Sequence, residues 1–229
     1  MVRDVITQNS FWPVTDSFNI DKVDFLVAAI DSSEYVSKYM FGVQRYSNAL
    51  DLLDVALRQA LPSGLILEFG VFSGRTINHL ASLLPLRQIY GFDSFEGLPE
   101  DWRPGYARGT FRIAKPRVAD NVELIVGWFH QSLPEFLSRS AGEFVAFLHI
   151  DCDLYSSTRT IFDLLGDQIG PGTIIVFDKY FNYPQWRQHE FLAFQEFIVR
   201  RCLRYEYIGL VPEHQQVAVR IIAEESDHV

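Results

Sequence analysis

Cysteine is scarce in this sequence, with only Cys152 and Cys202 among 229 residues. Two cysteines cannot build a disulfide framework, and no CxxC or Cys/His cluster has the spacing of structural zinc ligands. No apolar run approaches the roughly 20 residues that a membrane helix needs. The first 20 residues also lack the apolar segment of a signal peptide. We therefore expect a reduced, cytoplasmic protein without a membrane anchor.

Positive charge is also in short supply, because 20 Lys and Arg residues stand against 29 Asp and Glu residues, a net charge of −9. Nucleic-acid binding depends on a basic surface, so this balance argues against a nucleic-acid partner. It is compatible with a neutral or cationic small molecule. Aromatic residues, in contrast, are abundant, with 19 Phe, 10 Tyr and 4 Trp, enough for a core and for a pocket that takes a large apolar substrate.

Short apolar runs followed by helical patterns organise the chain from residue 63 onward. Five such runs occupy residues 65–70, 88–93, 121–127, 144–151 and 173–178. Runs of this kind are typical of parallel strands buried on both faces. Two further runs, at 205–211 and 216–222, flank a short turn and predict a β-hairpin. The predicted fold is a Rossmann-like, mostly parallel, doubly wound α/β sheet with a C-terminal antiparallel hairpin at one edge.

The N-terminal part shows apolar residues at near-helical spacing over residues 16–60, with Asp16 and Ser17 as candidate N-caps. We predict one domain over residues 1–229, in which residues 1–62 form a helical cap or lid and residues 63–229 form the Rossmann-like core. Two interpretations of the aromatic-rich cap stay open. It covers the substrate, as a lid or through a homodimer partner, or it is a helical layer packed on the sheet.

Two loops at predicted strand ends suggest a nucleoside site. The first, EFGVFSGRT at 68–76, supplies Gly70 and Gly74 between a strand and a helix, without the middle glycine of G-x-G-x-x-G. The second, GFDSFEGLP at 91–99, places Asp93 about 20 residues after Gly70, where Rossmann-like sites hold a ribose. Singly, the first loop is explained by a structural turn and Asp93 by a helix cap. Together they favour nucleoside binding.

The segments LEFGVFSGRT, GFDSFEGLP, NVELIVGWFHQSLP and HIDCDLYSST together resemble class I S-adenosylmethionine-dependent methyltransferases. Among these they most resemble the TylF-type (macrocin O-methyltransferase) family, over about residues 64–222. The resemblance implies an enzyme of secondary metabolism that methylates a hydroxyl of a small-molecule acceptor, such as a sugar. It implies S-adenosylmethionine contacts for Glu68, Gly70, Ser73, Gly74 and Thr76 (methionyl part), Asp93, Ser94 and Phe95 (ribose), Gly127, Trp128 and Phe129 (adenine), and Asp151. For Trp128 and Phe129, core packing is an equally good explanation.

The fourth strand ends in HIDCDLY at 149–155, and acids two residues apart at a strand exit are poorly explained by packing. In the resembling family, the first acid of this motif and an Asp-Asp pair after the next strand bind a divalent metal. This chain offers Asp151 and Asp178, with Lys179 where the second Asp of the pair stands. Two carboxylates and waters can hold Mg²⁺. Alternatively, Lys179 pairs with Asp151 or Asp153 and replaces the metal.

Catalysis of methyl transfer requires positioning of the reactants and a group that takes the hydroxyl proton. We predict that Asp151 and Asp178 do this work, with His189 in reserve, although His189 is also explained as a solvated first-turn residue. The basic residues of the tract 100–120 either meet an anionic acceptor or form a solvated loop. Two other functions stay open. One is a non-catalytic S-adenosylmethionine-binding protein, an alternative that Lys179 keeps open. The other is an NAD-dependent oxidoreductase, against which the missing glycine and the hairpin argue.

Overall fold

The computed structural model describes residues 18–140 and 142–223. Its seven strands form one sheet in the order β3-β2-β1-β4-β5-β7-β6. The strands are β1 (Leu65–Phe69), β2 (Ile89–Asp93), β3 (Val122–Val126), β4 (Val145–Ile150), β5 (Ile174–Phe177), β6 (Arg204–Leu210) and β7 (Val217–Ile222). The first five run parallel, and β7 pairs antiparallel with both β5 and β6. The predicted Rossmann-like sheet and its terminal hairpin are therefore confirmed.

The central strands explain the unalternating apolar runs of the sequence, because every residue of β1 and β4 is buried. Six helices of the described chain accompany the sheet: α1 (Ile20–Tyr39), α2 (Ala49–Arg58), α3 (Arg75–Leu83), α4 (Phe129–Arg139), α5 (Tyr155–Leu165) and α6 (Glu190–Arg200), with a short 3-10 turn at Trp186–Gln188. Helices α2 and α3 pack on one face, against Ile66 of β1. The other four contribute to the core on the opposite face, with Leu67 and Phe69. Burial on both faces is what a doubly wound sheet requires.

The N-terminal helical region consists of two helices separated by residues 40–48, rather than one continuous pattern over 16–60. Asn19 caps α1 by accepting a hydrogen bond from the backbone N–H of Lys22, and Asn48 caps α2 in the same way with Asp51. The predicted caps Asp16 and Ser17 lie outside the described residues. Because α2 contributes to the core, it is a packed layer of the fold.

Helix α1 is held mainly through its C-terminal half. The Tyr35 hydroxyl hydrogen-bonds that of Tyr207 on β6 at 2.6 Å. Its N-terminal half leaves Phe25, Val27 and Ile30 about half exposed. None of the described helices combines the length and apolar character that crossing a bilayer requires.

Candidate active site

A cavity of about 760 Å³ opens where the parallel strands end. The exits of β1, β2 and β4 contribute Gly70, Asp93 and Asp151 to its lining. The start of α4 adds Trp128 and Phe129. Further lining residues come from the segment between β2 and β3, namely Leu98, Trp102, Arg103, Tyr106, Arg108 and Phe111. This is the edge at which doubly wound sheets bind their ligands.

Gly70 joins the first loop to the exit of β4. Its φ is +97°, and a Cβ on this residue would lie 1.8 Å from the carbonyl oxygen of Asp151. Only glycine allows this backbone approach in this conformation. The same contact region holds the hydrogen bond from Asp151 N–H to the Phe69 carbonyl, at 2.9 Å. Gly70 therefore keeps two sides of the cavity together.

Asp93 organises the loops that follow β1 and β2. Its carboxylate accepts the backbone N–H of Phe72 at 2.8 Å and that of Phe95 at 2.7 Å. Both phenylalanines have positive φ, of 48° and 57°, which is costly for residues other than glycine. Because Asp93 also lines the cavity, it offers its remaining lone pairs to a ligand hydroxyl.

The predicted cofactor residues fall into two groups. Those that line the cavity are Gly70, Asp93, Ser94, Trp128, Phe129 and Asp151. Those that are not part of the lining are Glu68, Ser73, Gly74, Thr76, Phe95 and Gly127. Among the latter, Gly74 precedes α3 in a left-handed conformation, and Phe95 belongs to the core.

Glu68 lies fully buried under the first loop, where it pairs with His149 at 2.9 Å. Its second oxygen, Oε1, has no hydrogen-bond partner among the described residues. Burial raises the pKa of Glu68, and the hydrogen bond from His149 opposes that shift. His149 is therefore a core histidine. Glu68 does not line the described cavity.

The exits of β4 and β5 bring a charged cluster to the opposite side of the cavity. The Lys179 ammonium contacts the Asp178 carboxylate and lies 3.6 Å from Oδ1 of Asp151. Asp178 Oδ1 also accepts a hydrogen bond from the Gln216 side chain at 2.8 Å. Asp151 and Lys179 line the cavity, and Asp178 lies behind them. The structure thus brings Asp151 and Asp178 together, but through a lysine.

Glu190 supports this cluster from within the core. Its two carboxylate oxygens accept the backbone N–H groups of Asp153 and Lys179, each at 3.1 Å. Burial raises the pKa of Glu190 to about 8, and the nearby charge of Asp153 adds to the shift. Burial likewise raises the pKa of Asp153 to about 7, with Lys179 opposing it. From the sequence, Glu190 is an ordinary first-turn helix acid, so its role was not predicted.

His189 does not reach the cavity lining. Its ring stacks on Tyr183 with centroids 6.0 Å apart and meets Trp102 edge-on at 6.1 Å. Burial lowers the pKa of His189, and the positive charge of Arg103 adds to the shift. The His189 ring is thus surrounded by aromatic rings and a cation, and of these Trp102 and Arg103 line the cavity.

The basic tract after β2 also divides into two groups. Arg103 and Arg108 line the cavity, whereas Arg112, Lys115 and Arg117 do not. The Arg103 guanidinium lies 4.0 Å from the Trp102 ring centroid and 4.7 Å from that of Tyr106. Its Nε and Nη1 atoms are buried and have no hydrogen-bond partner among the described residues. The alternative of a solvated loop therefore holds only for the later part of the tract.

A divalent metal does not fit the residues present, although ligand atoms of His149, Asp151 and Asp178 lie within 4.8 Å of one another. One nitrogen of His149 is paired with Glu68, and both oxygens of Asp178 already have partners. The Lys179 ammonium also stands beside the two carboxylates, where it would repel a second cation. An S-adenosylmethionine, in contrast, suits the cavity, because its hydroxyl, ammonium and adenine groups match acids and aromatic rings.

Comparison with known proteins agrees with this chemistry. Residues 67–180 match a family model described as a methyltransferase domain. The 8-demethyl-8-(2,3-dimethoxy-alpha-L-rhamnosyl)-tetracenomycin-C 4'-O-methyltransferase of Streptomyces olivaceus is 26% identical over 170 residues, which cover 63% of this chain and 63% of that protein. The mycinamicin III 3''-O-methyltransferase of Micromonospora griseorubida is 25% identical over 191 residues, covering 70% and 73%.

A crystal structure of a calicheamicin methyltransferase has a similar fold. Its TM-score is 0.64 at 22% identity, and the superposition covers 93% of this chain and 95% of that one. The matched family model favours methyl transfer over an NAD-dependent reaction. Residues 67–180 therefore match the methyltransferase-domain family, and they lie within a fold like that of the calicheamicin methyltransferase.

Proposed function

We propose that this protein is an S-adenosylmethionine-dependent O-methyltransferase of the TylF type. Its acceptor would be a hydroxyl of a small molecule, namely a sugar or another natural product. The observation that carries this proposal is one cavity that joins Asp93, Trp128 and Asp151 within a methyltransferase domain. The two curated relatives, both O-methyltransferases, support it.

Six residues of the lining would hold the cofactor: Gly70, Asp93, Ser94, Trp128, Phe129 and Asp151. S-Adenosylmethionine supplies, when bound, a methyl group on a positively charged sulfur, so the donor needs no further activation. The protein's own task is to hold the acceptor in line and to exclude water. The aromatic residues of the segment between β2 and β3, Trp102, Tyr106 and Phe111, provide the apolar surface for both purposes.

Asp151 is the group that we assign to the acceptor hydroxyl. Its side chain is 32% exposed and faces the cavity, so an acceptor hydroxyl can donate to it and lose its proton there. Asp178 would act indirectly, because it holds Lys179. His189, whose ring packs on Tyr183 and Trp102, would act only by supporting Trp102.

The decisive experiment measures cofactor binding and turnover separately. Calorimetry with S-adenosylhomocysteine should give one site per chain, and NAD should not compete. A panel of glycosides should yield S-adenosylhomocysteine with at least one acceptor. Asp151→Asn should lower turnover about 10²–10⁴-fold. The matched control Asp167→Asn, at a carboxylate 80% exposed, should not change turnover.

Two results would contradict the proposal in different ways. Without S-adenosylhomocysteine binding, the cofactor assignment fails. With binding but no turnover on any acceptor, the protein is a non-catalytic cofactor-binding protein.

Three further features belong to the same proposal. Residues 1–62 would cap the core, and the protein would form a homodimer. The half-exposed apolar side chains Phe25, Val27 and Ile30 of α1 support that dimer. The protein would work in the cytoplasm, as the unpaired thiols of Cys152 and Cys202 suggest. Light scattering of the wild type and of Val27→Asp would test the dimer, with a monomeric mass for the wild type contradicting it.

A further inference from the structure

Three side chains from two neighbouring strand exits meet at the charged side of the cavity. Asp151 follows β4, and Asp178 and Lys179 follow β5. The Lys179 ammonium contacts Asp178 and lies 3.6 Å from Asp151. All three side chains are partly shielded, with 22% of Lys179 and 16% of Asp178 exposed. Such shielding strengthens the interaction of charges relative to a surface ion pair.

The backbone around Lys179 is fixed on both sides. Its N–H donates to buried Glu190 at 3.1 Å, and its carbonyl accepts the Tyr183 hydroxyl at 3.1 Å. The partner Asp178 is held in turn by Gln216. The core therefore holds the backbone of Lys179, and the contacts with Asp178 and Asp151 hold its ammonium at the cavity.

We propose that Lys179 is the resident cation of the acceptor site and that it replaces a divalent metal. In this role it is a positioning residue, because its ammonium fixes the Asp151 carboxylate to which the acceptor oxygen binds. The assignment of the acceptor oxygen rests on the function proposed above. The exclusion of metal does not, since it follows from the charges of Lys179, Asp151 and Asp178 alone.

Metal binding tests the exclusion without any turnover measurement. The probe is Mn²⁺, followed by electron paramagnetic resonance, on the wild type, Lys179→Asp and Lys179→Gln. Lys179→Asp removes the cation and adds a carboxylate, so it should bind one Mn²⁺ at least about tenfold more tightly than the wild type. Lys179→Gln, which removes only the charge, should fall between them. Wild-type affinity equal to that of Lys179→Asp would overturn the proposal.

Binding of S-adenosylhomocysteine is the control that each variant is folded. If that ligand fails to bind the wild type, the proposed function fails, while the Mn²⁺ series still decides the metal question. With an acceptor from the glycoside panel, wild-type turnover should resist EDTA. Lys179→Arg should keep more activity than Lys179→Gln, mainly through the KM for acceptor. Loss of wild-type activity in EDTA, restored by Mg²⁺, would overturn the role of Lys179.

A second, independent observation concerns Arg103, which lines the same cavity. Its guanidinium lies near the rings of Trp102, Tyr106 and Tyr183, with centroids 4.0, 4.7 and 5.2 Å away. Two of its nitrogens are buried without hydrogen-bond partners among the described residues. A rigid guanidinium with free donors matches a carboxylate or a phosphate. We infer that Arg103 binds an anionic group of a ligand in this cavity.

The anion has two sources, the carboxylate of the cofactor or an anionic group on the acceptor, and binding to Arg103→Met distinguishes them. The probes are S-adenosylhomocysteine, methylthioadenosine (which lacks the amino-acid part) and a nucleoside diphosphate. Loss of affinity for S-adenosylhomocysteine alone, by about tenfold, identifies the cofactor carboxylate. Loss for the nucleoside diphosphate alone identifies an anionic acceptor. Unchanged affinities for all three would overturn the inference.

Discussion

The two sides of the cavity are built by different means. The loops after β1 and β2 depend on backbone conformation, with Gly70, Phe72 and Phe95 at positive φ and Asp93 accepting two backbone N–H groups. The exits of β4 and β5 depend instead on charged side chains grouped around Lys179. A backbone site is encoded in a few adjacent residues, whereas a charged cluster needs partners from several elements. We expect the first side to tolerate few substitutions and the second to determine how the acceptor is handled.

The largest expected effect is at the contact between the two sides. Gly70→Ala would place a Cβ 1.8 Å from the Asp151 carbonyl oxygen. We expect the free energy of unfolding to fall by more than about 4 kcal/mol in urea titrations. The matched control is Gly105→Ala, which has φ +87° but nothing within 4 Å of its Cβ. It should lose only about 1–2 kcal/mol, the cost of the left-handed conformation. Equal losses would mean that the close approach contributes nothing.

The pH dependence of stability tests the charged side. Burial raises the pKa of Glu190 from 4.5 to about 8, so the folded protein binds this proton more tightly than the unfolded chain. The contribution of Glu190 to the free energy of unfolding should therefore be fully present below about pH 4.5 and be lost toward pH 8, by on the order of 3 kcal/mol. Glu190→Gln should reduce this slope, measured by urea unfolding between pH 5 and 8. The remainder comes from Asp153, whose raised pKa acts in the same direction.

A control and a contradicting outcome accompany that series. Asp167→Asn changes an 80% exposed carboxylate and should leave the slope as in the wild type. A stability that rises from pH 5 to pH 8 would show that Glu190 and Asp153 are ionised and fully compensated by Lys179.

The affinity for the cofactor product should distinguish the two sides of the cavity when one carboxylate on each side is changed. Asp93→Asn removes one acceptor for the N–H groups of Phe72 and Phe95, so the loops lose a charge-assisted hydrogen bond worth about 1.5–3 kcal/mol. The dissociation constant of S-adenosylhomocysteine should rise about 10- to 100-fold by calorimetry. Asp178→Asn, on the other side, should change it by less than about threefold. Similar effects of both would remove the distinction between a cofactor side and an acceptor side.

The smallest effect should come from a hydroxyl that does not line the cavity. The Tyr207 hydroxyl contacts those of Tyr35, Tyr180 and Tyr205, at 2.6, 2.8 and 3.2 Å. Tyr207→Phe leaves these groups short of a partner and should lower the melting midpoint through a loss of about 1–2 kcal/mol. Tyr90→Phe, whose hydroxyl has no hydrogen bond among the described contacts, should cost less than about 0.5 kcal/mol. Cofactor affinity should stay unchanged in both.

Much of the fold could be predicted because its signals are local. The apolar run of β1 can be recognised from adjacent residues alone, and in the structure every residue of this strand is buried. Asp93 could be found from its spacing to Gly70 for the same reason. Six of the twelve predicted cofactor residues line the cavity, including Gly70 of the first loop, Asp93 of the second loop and Trp128. The break at residues 40–48 was missed, because apolar spacing alone shows neither that α1 ends at Tyr39 nor that Asn48 caps the start of α2.

What could not be predicted depends on contacts between distant residues. Glu190 binds the backbone of Asp153, and only the packing of α6 against the sheet makes that contact. The occupied oxygens of Asp178 likewise depend on Gln216 from the C-terminal hairpin. Arg103 was one of several basic residues in the tract 100–120. Only the fold separates it from Arg112 and Lys115, which stay away from the cavity.

The tyrosine cluster around Tyr207 has a consequence for how this protein could be re-engineered. Tyr35 on α1 contacts the hairpin through the Tyr207 hydroxyl. The side chain of Gln195 on α6 donates to the hydroxyls of Tyr180 and Tyr205. Helix α1, helix α6 and the hairpin, which are remote in the chain, thus share one hydrogen-bond network inside an apolar layer. A chimera that takes α1 from a relative must also take the hairpin from that relative. Otherwise buried tyrosine hydroxyls are left without hydrogen-bond partners. Recombination between such enzymes is therefore expected to succeed at boundaries that keep this helix and hairpin from one parent.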